Sequence, residues 1–127
     1  MHQPPETKTR VLVVDDRADM AEMLADDLCD RGYDGVAITS GREALHLLQT
    51  QRVDALVTDV RMPDVDGMML LRASLELDPS RPVILMTAYG TLDTAMEASG
   101  AGAYQYLLKP FRLDHLVRML RQALERR

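Results

Sequence analysis

Four apolar segments of this 127-residue chain end in polar side chains that suit metal and phosphoryl chemistry. Asp15 and Asp16 follow the first apolar run, Asp59 follows the third, Thr87 the fourth and Lys109 the fifth. If the runs are parallel strands of one doubly wound sheet, their carboxyl ends form the edge at which such sheets bind ligands. Three carboxylates, one hydroxyl and one ammonium would then share a single cleft.

Carboxylates that crowd one cleft repel each other unless a cation lies between them. An acidic site with only oxygen ligands suits Mg²⁺ (or Mn²⁺), which takes few protein ligands and keeps several waters. A lysine and a hydroxyl beside the metal suit phosphoryl transfer, in which positioning and charge neutralisation do most of the work. Asp59 is the candidate nucleophile because its strand is central in the cluster, while Asp15 and Asp16 are placed to hold the metal.

Each of these residues also has an ordinary interpretation when it is taken alone. Asp15 and Asp16 could cap the following helix, Thr87 could be a turn residue, and Lys109 could be a solvated charge. The functional interpretation depends on the agreement of four strand ends on one cleft.

The elements that must position these residues follow from an alternation of short β-rich runs with stretches of helical period. Strands are predicted at 10–14, 36–38, 53–58, 83–86 and 103–108, and helices at 18–31, 42–51, 67–77, 91–99 and from 113 onward. This pattern predicts an α/β fold with a doubly wound, five-stranded parallel sheet. The order 2-1-3-4-5, one of the two common doubly wound orders, would bring the first, third, fourth and fifth strands side by side. Residues 1–9 are predicted to be a flexible leader and residues 10–127 a single domain.

Composition and charge exclude several classes of protein. With 46% apolar and 28% charged residues, the chain is typical of a folded globule. No apolar run reaches the ~20 residues that span a bilayer, and the first ten residues lack the apolar core of a secretory signal. We therefore expect a cytoplasmic location and no membrane contact. The net charge of −5 disfavours direct binding to nucleic acid. The single cysteine, Cys29, falls in an apolar helical pattern and is interpreted as a buried thiol.

Four strings resemble the receiver domain of two-component response regulators. They are VVDD at 13–16, VTDVRMPDVDG at 57–67, MTAY at 86–89 and GAYQYLLKPF at 102–111. The resemblance extends over residues 10–127 and implies the flavodoxin-like (βα)5 fold. It also implies a regulatory phosphoacceptor that is not an enzyme beyond its own phosphorylation and dephosphorylation. The strings are most similar to receivers of nitrogen-regulatory-type transcriptional activators, which work with an alternative sigma factor through an AAA+ domain.

The resemblance assigns the metal and acceptor residues. Asp59 would accept a phosphoryl group from a phosphohistidine of a sensor histidine kinase. Asp16, Asp59 and the backbone carbonyl of Arg61 would bind Mg²⁺, with Asp15 acting mainly through water.

The resemblance also assigns the residues that respond to the phosphoryl group. Thr87 and Lys109 would each bind one of its oxygens, and the bond from Lys109 to the following proline would be cis. Tyr106 would be a switch aromatic whose ring moves inward with Thr87, although strand alternation alone also explains an aromatic there. Arg61 and Tyr89 would shield the phosphoaspartate from water and lengthen its lifetime.

One departure from these relatives concerns the fourth helix, where Ser99 and Gly100 replace a bulky apolar and a basic residue. Because glycine and serine weaken a helix, we hypothesise a short or labile fourth helix. The face of the fourth helix, fifth strand and fifth helix would control a C-terminal effector domain (AAA+ and DNA-binding) or pair with a second receiver in a homodimer.

Four other functions compete with a phosphorylatable switch. A Mg²⁺-dependent phosphohydrolase needs an Asp-x-Asp pair after the first strand, whereas here Asp15 and Asp16 are adjacent. A nucleotide-binding domain needs a glycine-rich loop there, and the sequence has none. A stand-alone receiver that shuttles phosphoryl groups, and a scaffold receiver that is never phosphorylated, remain as alternatives.

Overall fold

The computed structural model describes residues 8–88, 90 and 92–126. Within them, five parallel strands form one sheet in the order β2-β1-β3-β4-β5. The strands are β1 (Arg10–Val14), β2 (Asp34–Ile38), β3 (Ala55–Asp59), β4 (Val83–Thr87) and β5 (Gln105–Leu108). The helices are α1 (Ala18–Asp30), α2 (Gly41–Thr50), α3 (Gly67–Leu77), α4 (Leu92–Gly100) and α5 (Leu113–Glu125). The doubly wound α/β fold and its strand order are therefore confirmed.

The predicted bounds differ from the observed ones mainly at strand starts. β2 begins two residues earlier, at Asp34, because the ladder extends down to Arg10 of β1. β5 begins two residues later, at Gln105, because the amide of Ala103 donates to the carbonyl of Ala98 in α4 and is not available to the sheet. The turn that ends α4 thus shortens the edge strand beside it.

Both faces of the sheet are covered by helices. Val11 and Val13 of β1 pack in a cluster with residues of α1 and α5, whereas Leu12 and Val14 pack in a cluster with residues of α2, α3 and Ala98 of α4. Since successive strand residues point to opposite faces, a strand buried on both sides must be apolar at every position. This explains the continuous apolar runs of the sequence.

Short polar side chains fix where α2 and α3 begin. The hydroxyl of Ser40 accepts the amide of Glu43 at 3.3 Å, and the carboxylate of Asp66 accepts the amide of Met69 at 2.9 Å. Both are helix caps of the usual kind. Gly32 follows α1 with φ +94°, a conformation that glycine adopts without strain.

The interpretation of Cys29 as a buried thiol is wrong. The buried face of α1 is made by Ala21, Leu24, Ala25 and Leu28. Cys29 is one residue past Leu28 and therefore turned about 100° from that face. It is exposed, with its sulfur 3.5 Å from the carbonyl oxygen of Gly35.

The structure describes only the last two residues, 8 and 9, of the predicted leader. Residues 1–7 of the predicted leader lie outside the described residues. The carbonyls of Lys8 and Thr9 accept hydrogen bonds from Arg52 at 3.0 Å and from the amide of Asp34 at 2.8 Å, so the end of the leader contacts the domain.

In the part of the chain that the structure describes, no helix is long and apolar enough to cross a membrane.

Candidate functional site

Three carboxylates meet at the carboxyl ends of β1 and β3. Asp15 and Asp16 follow β1, and Asp59 is the last residue of β3. The two strands are neighbours, with Val14 paired to Thr58, so the residues that follow each pair lie side by side. One carboxylate oxygen from each aspartate lies within 4.8 Å of the others. The structure therefore brings together the three acidic residues that the sequence predicted.

Lys109 reaches this acidic cluster from the end of β5. Its ammonium lies 2.6 Å from Oδ2 of Asp15 and 3.8 Å from Oδ2 of Asp59. Its amide donates to the carbonyl of Thr87, the last residue of β4, at 2.8 Å. The Lys109-Pro110 peptide bond is cis, as the resemblance implied. Four strand ends thus converge on one cleft.

Asp15 and Asp16 differ in their surroundings although they are adjacent. Asp15 is fully buried, and its two carboxylate oxygens accept the amide of Arg17 at 2.9 Å and the ammonium of Lys109. A buried carboxylate needs such partners to offset its lost hydration. Asp16 is exposed, so it lies at the mouth of the cleft, where it is open to a solvated cation.

The pKa of Asp59 is raised above its usual value, chiefly because the side chain is buried. The ammonium of Lys109 and, more weakly, the hydrogen bond from the amide of Val60 lower the pKa of Asp59. The negative charges of Asp15 and Asp16 raise it further. Asp59 as a whole is only 9% exposed. The upward direction means that a negative charge on Asp59 is costly in this cleft, and a cation bound beside it would relieve that cost.

The loop between β3 and α3 is held close to the acceptor strand. A Cβ on Gly67 would overlap the carbonyl oxygen of Asp59, so glycine is needed where α3 begins. Arg42 of α2 forms an ion pair with Asp64 of the loop at 2.6 Å. Arg61, whose carbonyl is predicted to bind the metal, lies in this loop with an exposed side chain. The Arg42 contact was not predicted, because its partners are far apart in sequence and carry no motif.

Thr87 and Tyr106 lie on the neighbouring strands β4 and β5. Thr87 is 2% exposed, and Tyr106 is half-buried with its ring packed against the cluster that includes Leu85. The hydroxyl of Tyr106 lies 2.9 Å from that of Thr94 in α4. Sequence reasoning missed Thr94, since no spacing links these two elements. Tyr89 lies outside the described residues, and its role stays a prediction.

The arrangement is suited to a hard divalent cation and to an oxyanion. Three clustered carboxylates supply the oxygen ligands that Mg²⁺ or Mn²⁺ prefers. A cation there would also offset the cost of the buried negative charge on Asp59, whose pKa is raised by burial. A carboxylate beside an ammonium, with Thr87 buried at the end of the neighbouring strand, can hold a phosphoryl group.

Comparisons with known proteins agree with this geometry. Residues 11–121 match the family described as the response regulator receiver domain. The chain is 39% identical to the regulatory protein AtoC of Escherichia coli over 116 residues, 91% of this chain and 25% of that protein. It is 38% identical to the DNA-binding transcriptional regulator NtrC of Klebsiella pneumoniae over 112 residues, 88% of this chain and 24% of that protein.

A solved structure is similar over almost the whole domain. The solution structure of the beryllofluoride-activated NtrC4 receiver domain dimer superposes with a TM-score of 0.86 at 35% identity, covering 92% of this chain and 97% of that one. The likeness therefore extends from sequence to backbone.

The fold and the cleft define a doubly wound α/β domain with clustered carboxylates and a lysine at the carboxyl edge of its sheet. With the family match, the chain belongs to the response regulator receiver domains, a family of regulatory domains. The predicted similarity to receivers of nitrogen-regulatory-type activators is confirmed. The chain spans about a quarter of the length of the curated relatives it matches.

Proposed function

We propose that the chain is a phosphorylatable switch in which Asp59 accepts a phosphoryl group from a phosphohistidine of a sensor histidine kinase. The observation that carries the proposal is the position of Asp59 at the centre of the cleft, grouped with two other carboxylates and 3.8 Å from the ammonium of Lys109. Its family membership supports the same conclusion.

The metal in this proposal is Mg²⁺ or Mn²⁺. Asp16, Asp59 and the backbone carbonyl of Arg61 would hold it, and Asp15 would act mainly through water. The bound cation supplies charge neutralisation, which is the main requirement of phosphoryl transfer. The burial of Asp15 and its contact with Lys109 favour this indirect role, because both of its oxygens already have protein partners.

The chain's own residues supply the positioning for the transfer. A carboxylate oxygen of Asp59 forms a bond to phosphorus as the bond from phosphorus to the imidazole nitrogen breaks, and the electron pair of that bond stays with the imidazole. Lys109 pairs with one phosphoryl oxygen. Its ammonium lies 3.8 Å from Oδ2 of Asp59, which is close enough for this role. Thr87 donates to another, and Arg61 and Tyr89 limit access of water to the product.

The switch then acts on the surface formed by α4, β5 and α5. In our proposal Tyr106 moves inward with Thr87, and this surface controls a C-terminal effector domain with AAA+ and DNA-binding functions in the cytoplasm. The names of the relatives, one of them a DNA-binding transcriptional regulator, support a role in transcription. A homodimer through the same surface is supported by exposed Leu108 and Met96 and by the dimeric NtrC4 receiver.

Intact-protein mass spectrometry tests the proposal. The protein is incubated with Mg²⁺ and acetyl phosphate, and wild type is compared with Asp59→Asn and with Asp26→Asn, an exposed aspartate on α1. We expect one phosphoryl group on wild type and on the Asp26 variant, none on the Asp59 variant, and none without the metal. A wild type that binds Mg²⁺ but gains no phosphoryl group would contradict the proposal and favour the scaffold alternative.

A further inference from the structure

A hydrogen bond between two hydroxyls ties the edge strand to the helix beside it. The phenolic oxygen of Tyr106 on β5 lies 2.9 Å from Oγ1 of Thr94, and either group can donate. Thr94 is the third residue of α4. The contact therefore joins the middle of β5 to the first turn of α4, and both partners are partly buried.

The ring of Tyr106 is confined by its surroundings as well. A Cβ placed on Gly90 would overlap the side chain of Leu108 and would lie 3.3 Å from Cε1 of Tyr106. The side chains of β5 thus fill the space against the connection between β4 and α4. The ring also packs on the core cluster that includes Ala98. With its body packed in this way, the hydroxyl is the end that needs a polar partner.

From this geometry we infer that Thr94 is a positioning residue that holds Tyr106 in its resting orientation. The inference rests on the proposed function, in which the ring of Tyr106 moves inward. In this inference the described conformation, with the phenolic oxygen of Tyr106 in contact with Thr94 of α4, is the resting one. The inward movement of the ring in the proposed switch then carries the phenolic oxygen away from Thr94 and breaks this bond.

The hydrogen bond also couples the orientation of the Tyr106 ring to α4. A single net hydrogen bond changes an equilibrium by only a modest factor, about two- to tenfold. That factor is sufficient to bias a switch whose two states are close in free energy. Thr94 therefore sets how far the equilibrium lies toward rest before any phosphoryl group arrives, and its loss raises the fraction of molecules with the ring turned inward.

The test measures the χ1 rotamer populations of residue 106 by three-bond scalar couplings in NMR, without any phosphodonor. Thr94→Val keeps the shape of the side chain and removes the hydroxyl, whereas Thr94→Ser keeps the hydroxyl. Thr50→Val is the matched control, because the hydroxyl of Thr50 donates only within α2, to the carbonyl of His46 at 2.9 Å. We expect the ratio of inward to outward rotamer to rise about two- to tenfold in Thr94→Val and to stay at the wild-type value in Thr94→Ser and Thr50→Val.

A second background separates the hydrogen bond from a general loosening of α4. In Tyr106→Phe the bond is already lost, so adding Thr94→Val should leave the rotamer ratio of the substituted ring unchanged. An equal rise in that background, or an unchanged ratio in Thr94→Val alone, would overturn the inference. Intact mass after acetyl phosphate treatment is recorded for every variant. Phosphoryl uptake on Asp59 together with an unchanged rotamer ratio in Thr94→Val would overturn this inference alone. No uptake in wild type would overturn the proposed function.

Discussion

The carboxyl ends of β1 and β3 and the surface of α4 and β5 belong to one sheet, yet they are packed very differently. All five residues of β3 and four of the five residues of β1 are buried, whereas β5 buries one of its four. Among the α4 side chains that the structure describes, residues 94–100, only Ala98 is buried. Met96 is 64% exposed and Leu108 54% exposed. Among these described side chains, little apolar burial holds α4 in place.

This difference suits the two tasks that a switch must combine. The cleft must hold charged groups at fixed distances, and the ends of β1 and β3 suit this task because each strand is paired with a neighbour on both sides. The responding surface must move at small cost, and weakly packed elements are the ones that open first. We therefore expect the cleft around Asp59 to be rigid and α4 to be mobile. The substitutions below test both expectations.

The largest effect is expected from Lys109→Ala, which removes the only cation within 4 Å of buried Asp15 among the ion pairs of the described residues. Because the partner left behind is a buried carboxylate, the free energy of unfolding should fall by about 2 kcal/mol in the absence of divalent cation. Urea unfolding with and without Mg²⁺ measures it, and Mg²⁺ should restore part of the loss.

Lys8→Ala is the matched control, since Lys8 is the only other lysine of the chain and is exposed. Its unfolding free energy should stay within about 0.5 kcal/mol of wild type. An equally small change in Lys109→Ala would show that the cleft does not depend on this ion pair.

An intermediate effect is expected from Asp59→Asn, and it should depend on pH. Burial raises the pKa of Asp59 in the folded protein. The folded protein therefore favours the protonated form of Asp59. The stability that this form contributes is fully present below the unfolded pKa of about 3.8. It is lost as pH rises through the raised pKa of the folded protein. At neutral pH without metal, Asp59→Asn should be more stable than wild type by about 1 kcal/mol.

This advantage should shrink as pH is lowered through the folded pKa, where wild-type Asp59 becomes neutral too. Urea unfolding at a series of pH values measures it, with Asp26→Asn on the exposed face of α1 as control. A constant difference between wild type and Asp59→Asn at all pH values would contradict the raised pKa.

The smallest effect is expected from Gly100→Ala at the end of α4. A Cβ at this position meets no atom within 4 Å, and its φ is not in the left-handed region. Alanine should therefore strengthen the helix by about 0.5 kcal/mol without any new contact. Amide exchange across α4 should slow about twofold, while exchange in β3 stays the same. Faster exchange in α4 would show that its lability has a source other than helix propensity.

The sequence was sufficient for the strand order and for the convergence of Asp15, Asp16, Asp59 and Lys109. The strand order is one of the two common in doubly wound sheets, and the convergence follows from it, because parallel strands bring their carboxyl ends together whatever the details of packing. The prediction for Cys29 failed because a helical pattern gives the buried face only to within one residue.

Contacts between distant side chains could not be predicted. Arg81 lies between a serine and a proline and looks like a solvated charge, yet it is 6% exposed, donating to the carbonyl of Val53 at 2.8 Å and to the hydroxyl of Ser74 at 3.0 Å. The bond between Thr94 and Tyr106 is of the same kind. Such contacts depend on the distance between packed elements, which no periodicity records.

Hydrogen exchange of individual amides, before and after treatment with acetyl phosphate and Mg²⁺, tests most directly the claim that a rigid acceptor site drives a weakly held helix. We predict rapid exchange across α4 before treatment, a change in its exchange rates afterwards, and strong unchanged protection in β1 and β3. Asp59→Asn should show no change on treatment. Protection of α4 as strong as that of β3, or phosphorylated wild type with an unaltered α4, would contradict the account.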